Sequence, residues 1–441
     1  MSEKTNILYI HSHDTGRYIS PYGYDADTPN LQILANEGTL FSNAFSAAPT
    51  CSPSRASLLT GQWPHSSRMY GLVNRGFDLP DKSHLLIYTF KKMGYYTVLS
   101  GIEHIAKDRQ SLGYDKVYAT VDPVANAIDF LNKKPDSPFF LDVGFWETHR
   151  PYIEEKDGTD SFNIVPPLIL PDTEDVRKDY ASYLRSANIL DANIGELMRY
   201  LKEKGLYDDC LLIFTTDHGI AFPKMKCNLT DHGIGISLIM KPPKSYRWSK
   251  KVDSMVSQID IFPTLCDILR TEIPCWIQGK SVLPALYGQK KEINSEIFAE
   301  VNYHCCYEPQ RCIRTRRYKY IKRFTESEIV LLPNIDDSPS KNTFMRLGLH
   351  LKKIPSEQLY DLHNDPMETF DLSSDPEYKE TLIKMRHKLL YWMDETNDPL
   401  LTGEITDYLA NTHDGNIYVS NESDISTHDI WKYTEKKPDY D

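Results

Sequence analysis

Short apolar, β-branched runs alternate with stretches of helical periodicity through residues 1–300, and this alternation constrains the fold more than any other feature. Strand candidates are Asn6–His11, Tyr95–Leu99, Phe139–Phe145, Cys210–Thr216, Ile236–Met240 and Glu296–Glu300. Helix candidates fall near Thr28–Glu37, Leu85–Lys92, Pro123–Lys133, Glu174–Lys204 and Gln258–Arg270. In the longest of these, Val176, Tyr180, Tyr183, Leu184, Ala187, Leu190, Ile194, Leu197 and Leu201 recur on one face, and Gly205 follows as a cap. Strands that alternate with helices predict a mixed, mostly parallel sheet covered by helices on both faces. Ligands gather at the carboxyl ends of strands in such sheets.

Beyond residue 300 the texture changes. Cys312–Phe324 reads as a hairpin, Thr325–Pro355 as a loop-rich insertion, and Pro376–Glu395 as an amphipathic helix with Asp375 at its N-cap. Residues from about 400 onward read as a wrapping tail. The expected organisation is a catalytic α/β domain over 1–300 and a smaller C-terminal α+β subdomain over 301–441. Fifty basic residues against 62 acidic ones give a net charge of −12, which argues against a nucleic-acid partner. Arg311, Arg314, Arg316, Arg317, Lys319, Lys322 and Arg323 alternate as a solvated hairpin face would. No apolar run reaches the ~18 residues of a membrane span. The first residues carry no apolar leader, so the expectation is a cytoplasmic protein. Eight cysteines without a C-x-x-C pair read as free thiols rather than a disulfide framework or zinc ribbon, the vicinal Cys305 and Cys306 included. Oligomeric state is not encoded at this level.

Four strand candidates empty into residues that carry chemistry. Asn6–His11 leads to Ser12-His13-Asp14, and Tyr95–Leu99 to Gly101-Ile102-Glu103-His104. Phe139–Phe145 leads to Trp146-Glu147-Thr148-His149, and Cys210–Thr216 to Asp217-His218-Gly219. Asp and His are ordinary turn residues when met singly. Converging on one sheet edge, Asp14, Asp217 and His218, with His13, have the oxygen and imidazole donors that hold a divalent cation.

The segment Cys51-Ser52-Pro53-Ser54-Arg55-Ala56-Ser57-Leu58-Leu59-Thr60-Gly61 is the sharpest local signal. Pro53 suits a first helical turn, which places Cys51 at a helix N-terminus, where free N–H groups favour an anion. Arg55 offers a fork of donors to the same anion. Three readings are open here: an anion site at the helix N-terminus, a buried structural cysteine, and a thiolate nucleophile partnered by His104 or His149.

Cys51–Gly61 resembles the signature of the type I sulfatases, whose cysteine is oxidised by a sulfatase-maturing enzyme to Cα-formylglycine. Asn6–Gly16 is similar to that family's first metal segment, Gly101–His104 to its Gly-Lys-x-His segment, Glu147–Pro151 to its second histidine motif, and Thr216–Gly219 to its second metal motif. Lys226 matches the basic residue that binds sulfate. The likeness runs from about residue 5 to about 395 and is greatest to the heparan N-sulfatases, through Met69-Tyr70-Gly71-Leu72, Gly219–Pro223 and Trp392-x-x-Glu395-Thr396-x-Asp398-Pro399. Two positions depart from the family: His13 replaces an aspartate, and Ile102 replaces the lysine of Gly-Lys-x-His. An imidazole in place of a carboxylate softens the metal site, so manganese competes with calcium as the cation.

The resemblance implies an alkaline-phosphatase/sulfatase-like fold and a hydrolase that removes sulfate from a sulfated saccharide of glycosaminoglycan type. It assigns Cys51, Arg55, His104, His149 and Lys226 to catalysis, and His13, Asp14, Asp217 and His218 to the metal. Glu147, His149 or His232 would protonate the leaving group, and Glu103 and His304 would face the substrate. Phosphonate or phosphate diester hydrolysis on the same scaffold, and a degenerate sulfated-sugar binder, are the alternatives.

Overall fold

The computed structural model describes residues 5–403 and 405, apart from 121, 134–137, 154–159 and 326. The expected tail beyond residue 405 lies outside the described residues. Ile7–Ile10 form the middle of strand β1 (Asn6–Ser12), and every residue from Ile7 to Ser12 is buried, as a central parallel strand requires. Seven further strands join it: β2 (Thr39–Phe41), β3 (Tyr96–Gly101), β4 (Lys116–Val117), β5 (Phe139–Gly144), β6 (Cys210–Thr216), β7 (Leu238–Lys241) and β8 (Lys251–Val252). Their spatial order is β4-β3-β5-β1-β6-β7-β2-β8. β7 alone runs against its neighbours. The carboxyl ends of β3, β5, β1 and β6 therefore lie side by side on one edge.

The period of two along β1 divides the core into two layers. Ile7 and Tyr9 face a layer with the helices Cys51–Thr60, Leu86–Lys92 and Ile261–Ile268. Leu8 and Ile10 face the helices Pro29–Glu37, Pro123–Asn132 and Glu174–Glu203. Each fully buried Leu or Ile of these layers contributes about 1.5–3 kcal/mol. The 30-residue Glu174–Glu203 helix starts where the Thr173 side chain accepts from Val176 N–H, and ends before Gly205 at φ 69°. Its Tyr183 hydroxyl donates to the Thr15 and Tyr18 carbonyls, so the helix also braces the loop that leaves β1.

A second, antiparallel sheet holds β9 (Glu296–Tyr303), β10 (Tyr307–Thr315), β11 (Tyr318–Arg323) and β12 (Glu357–Asp361) in that order. The run Glu296–Glu300, expected with the large sheet, opens this one instead. A three-residue connection after Tyr303 lets it pair with β10, and Ile297, Ala299 and Val301 are buried in the layer between the two sheets. Residue 300 consequently falls inside a strand. The insertion after β11 contains a helix, Pro339–Arg346. The expected helix at 376–395 is a turn, Pro376–Tyr378, followed by helix Lys379–Glu395, whose Leu382, Met385, Leu389 and Trp392 pack on Ile313, Tyr320 and Leu359.

The basic hairpin is not a solvated face. Arg311, Arg314, Lys319 and Arg323 are buried, and each is paired: Arg311 with Asp398, Arg314 and Lys319 with Asp231, and Arg323 with Glu308. Among the seven cations, Arg316 and Arg317 are the exposed ones. A strand facing a core on one side and the main domain on the other has no wet face, so its cations had to bring carboxylates with them.

Candidate active site

The edge formed by β3, β5, β1 and β6 gathers nearly all of the residues that the sequence singles out. Past β1, His13 and Asp14 are fully buried, Asp14 at φ 55°. Past β6, Asp217 turns its Oδ1 onto the backbone N–H groups of Asp14 (2.8 Å) and His218 (3.0 Å), which locks the two loops together. His13 Nδ1 lies 2.8 Å from Asp14 Oδ1 and 3.2 Å from Asp217 Oδ2. His218 Nε2 lies 3.3 Å from Asp14 Oδ1, 3.8 Å from Asp217 Oδ2 and 3.4 Å from Cys51 Sγ. The donor atoms form two overlapping groups, Asp14 with Cys51, Asp217 and His218, and His13 with Asp14, Cys51 and His149, each within 4.8 Å.

The tautomer of His218 tests whether a cation belongs there. Its Nδ1 sits 2.9 Å from the Gly219 carbonyl, which can only accept, so Nδ1 carries the hydrogen. With Nδ1 so engaged, Nε2 is the atom that His218 turns toward two carboxylate oxygens, and the spacings suit the edges of a metal coordination shell. His13 Nε2, buried and without a partner, leaves Nδ1 free to be the ligand. The residues fit a divalent ion held by His13, Asp14, Asp217 and His218.

Cys51 occupies the first position of the Cys51–Thr60 helix, in which every residue is buried. No side chain caps this helix at Thr50. Ser54 donates to the Asp217 carbonyl at 2.6 Å, fixing the helix to the metal loop. Arg55, one turn after Cys51, donates to the Ser12 carbonyl (2.8 Å) and Asp217 Oδ2 (3.0 Å), and its other terminal nitrogen meets His11 Nδ1. These donors are spent on the protein, so Arg55 positions Asp217 where an open fork for an anion was expected. Below it, His11 Nε2 donates to Asp142 (2.8 Å), which also accepts from the Tyr114 hydroxyl.

Lys226 crosses the site from the far side. Its ammonium meets Asp14 Oδ2 at 2.8 Å, Asp336 Oδ2 at 3.2 Å and His149 Nε2 at 3.4 Å. His149 shares its Nδ1 with the Arg150 carbonyl and stands edge-on to His13 with ring centres 4.5 Å apart. His104, at φ 61°, has a buried Nδ1 with no partner and a ring centre 5.7 Å from that of His13.

A sulfatase family model matches residues 5–271, and a model described as N-sulphoglucosamine sulphohydrolase, C-terminal, matches residues 224–346. The chain belongs to the sulfatase family. Members of that family generally use formylglycine and a divalent metal. Among curated relatives, human N-sulphoglucosamine sulphohydrolase is 27% identical, the match covering 89% of this chain and 91% of that one. An ulvan-active sulfatase of Formosa agariphila is 29% identical over 91% of this chain and 82% of its own. Among solved structures, phosphonate monoester hydrolase of Agrobacterium radiobacter superposes with a TM-score of 0.72 at 20% identity, covering 90% of this chain and 97% of that one, a likeness of fold. The alkaline-phosphatase-like architecture expected of a sulfatase is the one observed.

Electrostatics sorts the roles. Burial pushes the Cys51 thiol well above its ordinary value, with Lys226 opposing and Asp14 reinforcing the shift, so an unmodified Cys51 is a neutral thiol at pH 7. The thiolate reading loses its basis, and the imidazole nearest Cys51 is His218 rather than His104 or His149. Burial lowers His104 to about 3, with Arg55 and His149 adding to it, and His149 is lowered by burial and then by Lys226. Both rings are neutral. Burial alone would lower Lys226, yet Asp14 and Asp336 outweigh it and hold the ammonium charged. Three carboxylates (Asp14, Asp217, Asp336) against two fixed cations (Arg55, Lys226) leave one net negative charge. A divalent ion would make it positive, which suits a sulfate monoester.

Three of the expected substrate contacts stand elsewhere. His232 shares its Nδ1 with the Tyr18 hydroxyl at 2.8 Å and senses Asp231, Lys319, Arg17 and Lys224 rather than the Cys51 cluster. The Glu147 backbone carbonyl accepts from His13 N–H, whereas its carboxyl senses Asp122. Glu103 is buried under the site and accepts from Ile105 N–H at 2.7 Å. His304 is buried and senses Lys226 and Asp336 electrostatically. Asp336 was not found from sequence, because a lone aspartate after a short turn in an aperiodic stretch carries no signal.

Proposed function

We propose that the chain hydrolyses a sulfate ester or sulfamate of a glycosaminoglycan-type saccharide at Cys51. The observation that carries the reading is the position of Cys51: first residue of an uncapped, buried helix, 3.4 Å from His218, in a site also occupied by the Lys226 ammonium. Oxidised to formylglycine, residue 51 supplies in its hydrated form the oxygen nucleophile. A divalent ion between His13, Asp14, Asp217 and His218 supplies charge stabilisation for the sulfate oxygens, with calcium and manganese both suited to this donor set. Lys226 binds a sulfate oxygen from the opposite side, and Asp336 and Asp14 hold it in place. The helix N-terminus adds a favourable field for the anion. Neutral His104 has a free nitrogen to take a proton, while His149 is oriented by the Arg150 carbonyl with its Nε2 toward Lys226. The likeness to N-sulphoglucosamine sulphohydrolase supports an N-sulfated amino sugar as the first substrate to try.

The test is the tryptic peptide Tyr18–Arg55 from protein co-expressed with a sulfatase-maturing enzyme. Mass loss at Cys51 and a hydrazine-reactive carbonyl are expected, with sulfate released from N-sulfoglucosamine in proportion to the aldehyde. A thiol that persists where a control sulfatase matures, or phosphodiesters turned over faster than sulfate esters, would overturn the reading.

A further inference from the structure

Arg75, like Arg17 and Arg109, has a buried Nε with no partner and no ion pair with a carboxylate among the described residues. Where Arg55, Arg150, Arg311 and Arg323 each hold a carboxylate, Arg75 has no carboxylate within ion-pair distance among the described residues. Its terminal nitrogen meets only the Cys305 sulfur, at 3.3 Å, and its Nε is buried with no partner. Burial raises the Cys305 thiol, so the acceptor facing Arg75 is a neutral sulfur, a weak one. A partly buried guanidinium is costly without an anion.

Its position is tied to the reacting residue. The turn Val73–Arg75 is fastened by Val73 N–H to the Ser52 hydroxyl at 3.1 Å, one residue from Cys51. Tyr303 N–H donates to the Tyr70 carbonyl and so brings the end of β9 to the same place. The first residue after β9 is His304, 5% exposed, with Nδ1 buried and unpartnered. Both Lys226 and Arg75 act on His304 electrostatically, and with burial they keep it neutral. The wall is rigid: Asn334 Oδ1 accepts the N–H groups of Cys305 (3.0 Å) and Cys306 (2.9 Å), and its amide donates to Glu308.

Two polar groups with unmet hydrogen-bonding capacity thus lie close enough to interact electrostatically, and Lys226 acts on the same imidazole. We infer that Arg75 and His304 form a second anion subsite, which takes a carboxylate or further sulfate on the saccharide. This rests on the sulfatase reading and names its substrate class: a saccharide with at least one acidic group besides the sulfate that leaves. Arg75 supplies the charge and fork, and His304 Nδ1 or Nε2 a single neutral hydrogen bond. Arg75 is a specificity residue rather than a catalytic one.

Matured enzyme is assayed on three sugars: N-sulfoglucosamine, its 6-O-sulfated form, and the disaccharide joining it to a uronate. Arg75→Gln is expected to raise KM about tenfold to a hundredfold for whichever doubly acidic sugar the subsite fits, with kcat changed little. The monosulfated sugar should lose far less, and Arg75→Lys should recover part of the loss. A response to the 6-O-sulfate identifies a sulfate as the occupant; a response to the disaccharide identifies a carboxylate. Equal effects on all three sugars would overturn the inference. Calorimetric binding to a Cys51→Ala variant separates this from failure of the hydrolytic reading. A doubly acidic sugar that binds tighter than the monosulfated one, by a margin that Arg75→Gln erases, upholds the subsite even without turnover. Equal binding of the sugars refutes it.

Discussion

Buried carboxyls near the site behave according to what faces them. Burial alone would raise Asp14, but Lys226 and the surrounding imidazoles hold it well below the usual range. Glu103 has no such company, and burial lifts it from 4.5 to about 7 despite a backbone hydrogen bond. A folded-state value above the unfolded one means that the folded protein keeps the proton longer. Stability attributable to Glu103 is therefore present below pH 4.5 and is lost as pH rises toward 7. Glu103→Gln keeps the acceptor for Ile105 and removes the ionisation. It should leave stability unchanged near pH 4 and add up to about 3 kcal/mol above pH 7, by urea unfolding at the two pH values. A pH-independent change would show that Glu103 does not ionise in that window. At this scale Asp14, Cys51, Asp217 and His218 were legible because each belongs to a short string with a chemical reason for its place, whereas Lys226 was legible only through the family resemblance. The direction of a side chain was not. Glu103 and Glu147 follow the strand ends by two and three residues, where the loop backbone rather than a strand period sets the direction of each side chain.

Elements were legible where burial is extreme. β1, β5 and β6 are buried almost throughout and mostly apolar because both their faces are covered, whereas β2, β4 and β8 are two or three residues long and carry no period. The reversal of β7 is set by a connection that no local pattern encodes. Loops at the sheet edge are held by close backbone approach. A Cβ on Gly219 would lie 1.9 Å from the His232 carbonyl oxygen and 3.1 Å from Gly233 Cα, both backbone atoms. Gly219→Ala is expected to displace the Asp217–His218 loop, cost about 1–3 kcal/mol or more, and remove activity on any sulfate ester. Circular dichroism melts and divalent-ion affinity measured together check this. Undiminished metal affinity in the variant would mean that the loop absorbs the methyl.

Across the whole molecule, the two sheets are joined by charge as well as by apolar layers. His65 beside the main domain, Glu300 on β9, Arg311 on β10 and Asp398 after the last helix are buried together, with Arg311 Nη2 3.0 Å from Asp398 Oδ1 and Asn302 Nδ2 2.9 Å from Glu300 Oε1. Sequence could not disclose this, because the four residues are separated by up to 333 positions and only the fold brings them into register. Asp398→Ala leaves Arg311 short of an anion and should destabilise the protein by about 3–5 kcal/mol, whereas Arg311→Met with Asp398→Leu should cost less. Equilibrium unfolding in urea decides; equal losses would mean that packing, not charge, sets the cost. The burial of Cys51, 1% exposed within a helix that has no exposed residue, also has a consequence in time. Once β6 and the Ile261–Ile268 helix have closed over that helix, no second protein can reach the sulfur. Under the proposed chemistry, conversion of Cys51 has to take place on the growing chain, in the interval before roughly 200 further residues arrive, on the order of ten to forty seconds at ribosomal speed. The active form would then be decided before the chain has a tertiary structure, and a molecule that folds first would keep the thiol.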